Sequence, residues 1–214
     1  MRKFLLASTL LALPLLMAGK AEAAPQLSLK LQETGYADYN LIGVPPAVTT
    51  GAISYGTFQI TINTGTSTAL PSLDLSSVDI AGASGGTLKV SLTLTDLAQP
   101  VGVSNWLTQF TGNWNSGTGS VSFSTFLDNT NAAFGQGTAL STLSSASSPF
   151  ALSNVASASS SALYSLTSVM TITSGPNTHF SLDGSVANVP EPATLAILGA
   201  GLLGLTGLRR RKAG

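Results

Sequence analysis

From Gln26 onward, apolar and polar residues alternate with a period of two. Leu27, Leu29 and Leu31 are interleaved with Ser28, Lys30 and Gln32, and Phe58, Ile60 and Ile62 with Gln59, Thr61 and Asn63. Leu88, Val90, Leu92 and Leu94 alternate with Lys89, Ser91 and Thr93, and Val121 and Phe123 with Ser122 and Ser124. Tyr164, Leu166, Met170 and Ile172 share one face, and Phe180 and Leu182 close the series. Successive side chains of a strand point to opposite sides, so each run predicts a strand with one buried and one wet face, as in antiparallel sheets. Turn residues separate the runs at Pro45-Pro46, Gly65, Gly82 to Gly86, Gly112 to Gly119, Gly135 to Gly137 and Gly175-Pro176. About seven to nine short strands punctuated in this way predict an all-β fold, an antiparallel β-sandwich or jelly-roll. Two segments stay open. Ala132 to Ala146 reads as a short helix weakened by Gly135 and Gly137. The Ser-rich stretch Ser141 to Ser161 reads either as a flexible loop or as a strand through Phe150, Leu152 and Val155.

The two ends follow other rules. Arg2 and Lys3 precede an uncharged apolar run, Phe4 to Ala18, and Ala21-Glu22-Ala23 is a small-x-small cleavage site. This is the pattern of a Sec signal peptide over residues 1–23, cut between Ala23 and Ala24. At the other end, Val189-Pro190-Glu191-Pro192-Ala193-Thr194 is followed by the apolar run Leu195 to Leu208 and by Arg209-Arg210-Arg211-Lys212. A helix from Ala193 to Leu208 is about 24 Å long at 1.5 Å per residue, just enough to cross a bilayer core with the arginines snorkelling. The basic cluster orients that single membrane helix with its C-terminus in the cytoplasm. Pro190 and Pro192 fix φ and keep the preceding segment extended and exposed outside the membrane. The chain thus divides into a signal peptide (1–23), an exported domain (24–188) and a C-terminal segment (189–214).

The order of extended Val-Pro-Glu-Pro, Gly-rich apolar run and terminal basic cluster resembles the PEP-CTERM sorting domain, which also circulates under an ice-binding-protein C-terminal label. The resemblance covers Val189 to Lys212. It implies an exosortase, a membrane-embedded Cys protease-transpeptidase, as processing partner, with Val189, Pro190, Glu191 and Pro192 as the recognised residues. It also implies a transient stage in the inner membrane, then the cell surface or an extracellular, exopolysaccharide-rich matrix. An ordinary uncleaved C-terminal anchor is the alternative.

Composition narrows the chemistry. Only 8% of residues are charged and there are no cysteines, which excludes disulfides, thiolate metal sites and a Cys nucleophile. Between Ala24 and Val189 stand two lysines against seven acids, the wrong balance for nucleic acid. His179 is the single histidine. Ser181 and Asp183 are its neighbours on one strand face, which does not make a triad. Asp128-Asn129-Thr130-Asn131 reads as an Asx turn, because the remaining ligands of a calcium loop do not follow it. Asp74 and Asp79 form a carboxylate pair by proximity only. A single irregular Thr-rich stretch, Thr57 to Thr68, lacks the repeated ranks that ice binding needs. Trp106 and Trp114, with Phe110 between them, are candidate sugar contacts for a carbohydrate-binding module, with core packing as the competing role. No cofactor and no catalytic residue is expected. The expected role is a non-catalytic surface or matrix protein.

Overall fold

A computed structural model describes residues 24–190 apart from Val44, residues 68–70, Ala83 and residues 115–116. The signal peptide and the C-terminal membrane helix expected from the sequence lie outside the described residues. Among the described residues no helix is long and apolar enough to cross a membrane.

The described chain forms twelve strands, more and longer than the sequence pattern predicts: β1 (Gln26–Glu33), β2 (Tyr39–Gly43), β3 (Thr49–Tyr55), β4 (Phe58–Ser67), β5 (Ser72–Gly82), β6 (Gly86–Leu97), β7 (Gly102–Trp114), β8 (Gly119–Asp128), β9 (Thr138–Ser145), β10 (Phe150–Ser160), β11 (Tyr164–Ser174) and β12 (Thr178–Val189). They pair antiparallel in two six-stranded sheets, ordered β2-β1-β6-β11-β8-β9 and β10-β7-β12-β5-β4-β3. From β5 to β12 the chain changes sheet at every connection except β8 to β9. That weave gives the strand order of an eight-stranded jelly-roll, and β1 to β4 widen both sheets beside β6 and β5.

The alternating apolar residues fill the space between the sheets. Leu27, Leu29, Leu31, Phe58, Ile62, Leu88, Val90, Leu92, Leu94, Phe123, Leu166, Met170 and Ile172 are fully buried. At about 25 cal/mol per Å² of apolar surface removed from water, this layer is the main stabilising term of a chain without disulfides. Where aromatic rings meet, small residues make room. Gly184 of β12 faces Phe123, and a Cβ there would lie 2.7 Å from the ring. Phe123 in turn stacks on Phe110 at 5.4 Å.

Two findings depart from simple alternation. Strand β5 carries a β-bulge: its register against β12 slips between Leu182 and Gly184, and against β4 between Thr61 and Asn63. Ser77 at the bulge has φ 52°. The bulge places Leu73 and Leu75 on the same buried side as Val78 and Ile80, a pattern that period-two reading loses. The outer face of the first sheet is also less wet than expected. Ser91, Thr93, Thr95, Ser165 and Thr167 are buried there. The β8–β9 loop lies over this face: Ser165 donates a 2.7 Å hydrogen bond to the Ala132 carbonyl, and the Lys30 ammonium sits 4.2 Å from the Phe134 ring centre. Residues 132–146 form this loop and β9, with no helix, and the Ser-rich stretch is strand β10 over Phe150–Ser160.

Candidate functional site

The exit of the chain from the sandwich is the best-defined feature of the sequence-predicted sites. Strand β12 is interior to its sheet, paired with β5 on one side and β7 on the other. Its last residues are pinned. The Asn188 amide donates to the Pro71 carbonyl at 2.9 Å, and the Asn188 side chain donates to the Asn105 carbonyl at 3.2 Å. Val189 is still in register with Asn105. Pro190, exposed, has no N–H to continue the ladder, so pairing ends there for a covalent reason. The chain enters at the same end of the sandwich. Exposed Ala24 precedes β1, whose first residue Gln26 pairs with Thr95 near the end of β6. The two sheets are joined there by Trp106 packed edge-on against Tyr164 at 6.3 Å, and by the Tyr164 hydroxyl donating to the Gln99 carbonyl at 2.6 Å. Of the other residues singled out at the two ends, Ala21, Ala23, Glu191, Pro192, Arg209, Arg210, Arg211 and Lys212 lie outside the described residues.

Residues 188–212 match the family model described as the PEP-CTERM protein-sorting motif. The C-terminal tail carries a PEP-CTERM motif. Such a motif implies processing by an exosortase and an export route with a membrane-anchored C-terminal stage. The match begins on the last two residues of β12, so the PEP-CTERM segment is continuous with an interior strand. No curated protein matches the chain. One solved structure similar to it is the enzymatically active domain of bacteriophage CBA120 tailspike protein 4. The identity is 11% and the TM-score 0.33, over 68% of this chain and 20% of that one. The chain thus spans a fifth of that protein, and a likeness of this size carries no argument about function.

The tryptophan expectation needs correction. Even-numbered residues of β7 face the core, and Trp106, Phe110 and Trp114 are all even. Their shared face is the inner one. Trp106 is completely buried, and its Nε1 has no hydrogen-bond partner, so an exposed sugar platform through Trp106 is ruled out by its burial. Trp114 is half-buried at the far end of β7, 6.2 Å from the Phe150 ring and 5.5 Å from that of Phe180. Its backbone N–H and carbonyl are both engaged by Ser148 Oγ, at 2.8 and 3.0 Å.

His179 and the Asp74 and Asp79 carboxylates sit on the outer face of the second sheet. His179, Ser181 and Asp183 line one exposed side of β12, as their spacing requires. Asp79 pairs opposite Ser181, and Asp74 opposite Ser185. A shallow depression of about 330 Å³ over this face is lined by Gln59, Thr61, Asp79, Asn113, His179 and Ser181 among others. Asp74 Oδ1 is buried without a donor. Burial, with Asp183 adding repulsion, raises the Asp74 pKa, and burial also raises that of Asp183. Among the described residues no group of three or more His, Cys, Asp or Glu is placed to hold a metal ion. The Asp128 segment is an Asx turn: Asp128 Oδ1 accepts from the Thr130 N–H at 2.9 Å and from its hydroxyl at 2.8 Å.

Proposed function

We propose that this chain is an exosortase substrate that ends at the cell surface or in an extracellular matrix. Its jelly-roll domain, residues 24–188, is the cargo, and residues 189–214 are the sorting and anchoring segment. The observation that carries this reading is the sorting motif beginning on β12. A protease needs several residues in extended conformation, and Pro190 supplies the break that frees them from the sheet. The pinning of Asn188 holds the cargo folded up to the residue before Val189, so cutting at the motif leaves the sandwich intact. In this reading Val189, Pro190, Glu191 and Pro192 are read by the exosortase. Arg209, Arg210, Arg211 and Lys212 hold the tail's orientation, and Ala21 and Ala23 direct signal peptidase to Ala24. The domain has no catalysis of its own, and its polar faces meet exopolysaccharide.

Intact mass of the protein from the culture medium, beside a Glu191→Ala variant, tests the proposal. The expected medium form starts at Ala24 and ends near Pro190, while the variant stays in the membrane fraction. Uncut protein in the membrane in both cases would make the chain a plain tail-anchored surface protein.

A further inference from the structure

The apolar side chains that the fold leaves outside are not scattered. Among the described residues the large exposed hydrophobics are Tyr36, Ile42, Val101, Val103, Val155, Leu163 and Val189. The register places four of them at the end where the chain enters and leaves. Val189 pairs with Asn105, two residues from Val103 on the neighbouring strand. Val101 precedes β7 and Leu163 precedes β11 at that same end. Ile42 flanks them, opposite Ser28 near the start of β1. Val103 is 77% exposed, Val101 55%, Leu163 43% and Val189 37%. Of the other two, Val155 lies part-way along edge strand β10, opposite Leu107, and Tyr36 lies at the opposite pole, in the β1–β2 turn.

Among the described residues, the two acids at the apolar pole, Asp96 and Asp128, are engaged internally. Asp96 accepts from the Asn131 side chain at 2.8 Å and from the Thr95 hydroxyl at 3.0 Å. Asp128 is held in its Asx turn. The two lysines between Ala24 and Val189 sit farther along the strands: Lys30 pairs with Ser91 and Lys89 with Gln32. From Val189 to Leu195, the start of the apolar run, is six residues, at most about 20 Å of extended chain. A domain on so short a leash keeps this pole facing the bilayer whenever the run is inserted.

We infer that this pole is a lipid-contacting surface: while the tail is inserted, Val101, Val103, Leu163 and Val189 rest in the interfacial region of the bilayer. The inference rests on the membrane stage of the proposed function. Exposed aliphatic side chains gain by leaving water for the headgroup–acyl boundary, and a tether of this length supplies the high local concentration that a small patch needs. The contact is apolar, so it holds on uncharged lipid and is indifferent to salt. Its consequence for processing is a fixed height of the sorting motif above the membrane.

The absence of cysteine makes single-site labelling clean. The full chain is reconstituted in phosphatidylcholine vesicles as Val103→Cys, Leu163→Cys and Tyr36→Cys variants, each carrying a polarity-sensitive fluorophore, and flotation is measured first. The expected result is co-flotation of all three. Labels at 103 and 163 are then shifted to the blue and quenched severalfold by lipid-borne quenchers, while that at 36 behaves as in water. Co-flotation with all three labels water-exposed would overturn the inference and leave the membrane-anchored stage standing. Labels at 103 and 163 that are shielded from water yet untouched by lipid quenchers would mean a second copy covers the pole, which also overturns it. Failure to float would remove the membrane stage, and the inference with it.

Discussion

Replacing Trp106 by alanine separates a core role from a sugar-contacting one. The ring is fully buried, lies against Tyr164 at 6.3 Å, and closes the end of the sandwich where the chain enters and leaves. Truncation removes the transfer free energy of the indole and leaves a cavity that the two sheets cannot fully close, so the cost is about 3–5 kcal/mol. For a domain of this size that lowers Tm by about 10 °C. Trp106→Phe should lose less than half as much. It keeps an aromatic partner for Tyr164 and deletes an N–H that is buried without an acceptor, a donor that contributes only its desolvation cost. Thermal unfolding of the detergent-solubilised chain, followed by circular dichroism, gives both numbers. In a Trp114→Phe background, Trp106 should emit in the blue and resist acrylamide. A Trp106→Ala protein melting within a degree or two of the parent, or ready quenching of Trp106, would refute the placement. Any loss of polysaccharide binding in Trp106→Ala is then to be read as unfolding.

Thr108 and Thr125 share a 2.9 Å hydrogen bond in the core between the two sheets. Either single Thr→Val change should cost about 1–3 kcal/mol by orphaning its partner, and the double change should cost less than the sum; urea unfolding of the four proteins checks the cycle. Gly184→Ala drives a methyl into the Phe123 ring and should cost about 1–3 kcal/mol, read as a lower urea midpoint. Asp74 and Asp183 hold their protons more tightly folded than unfolded, so their contribution to stability is full below the ordinary carboxylate pKa. It is lost as pH rises through their raised folded values. Asp74→Asn should therefore raise Tm at pH 7 and leave it unchanged near pH 3, an effect seen by melting the variant and parent across that range.

The sequence foretold the core better than the outline. Wherever small polar residues strictly alternate with aliphatic ones, as in Leu88 to Leu94, the buried face came out as read, because a one-residue slip would have turned every leucine into water. β5 went unread because its bulge at Ser77 breaks the period while keeping Leu73, Leu75, Val78 and Ile80 on one side. β10 was ambiguous because an edge strand whose small residues are mostly exposed needs little apolar signal: it is held by β7 through its backbone. Trp106 shows the opposite failure. Its parity with Phe110 and Trp114 was visible, but which face of β7 looks inward depends on which strands flank it, and β12 and β10 arrive from far along the chain. The sorting motif was legible in full because its chemistry is local: prolines that end a strand, an apolar run and a basic cluster act by their order alone. What the fold adds is position. It brings Ala24 and Val189 to one end, and it leaves Val101 and Val103 bare beside the motif. Those two valines precede and open β7, where no alternation marks them as exposed, so their adjacency to Val189 exists only through the β7–β12 register.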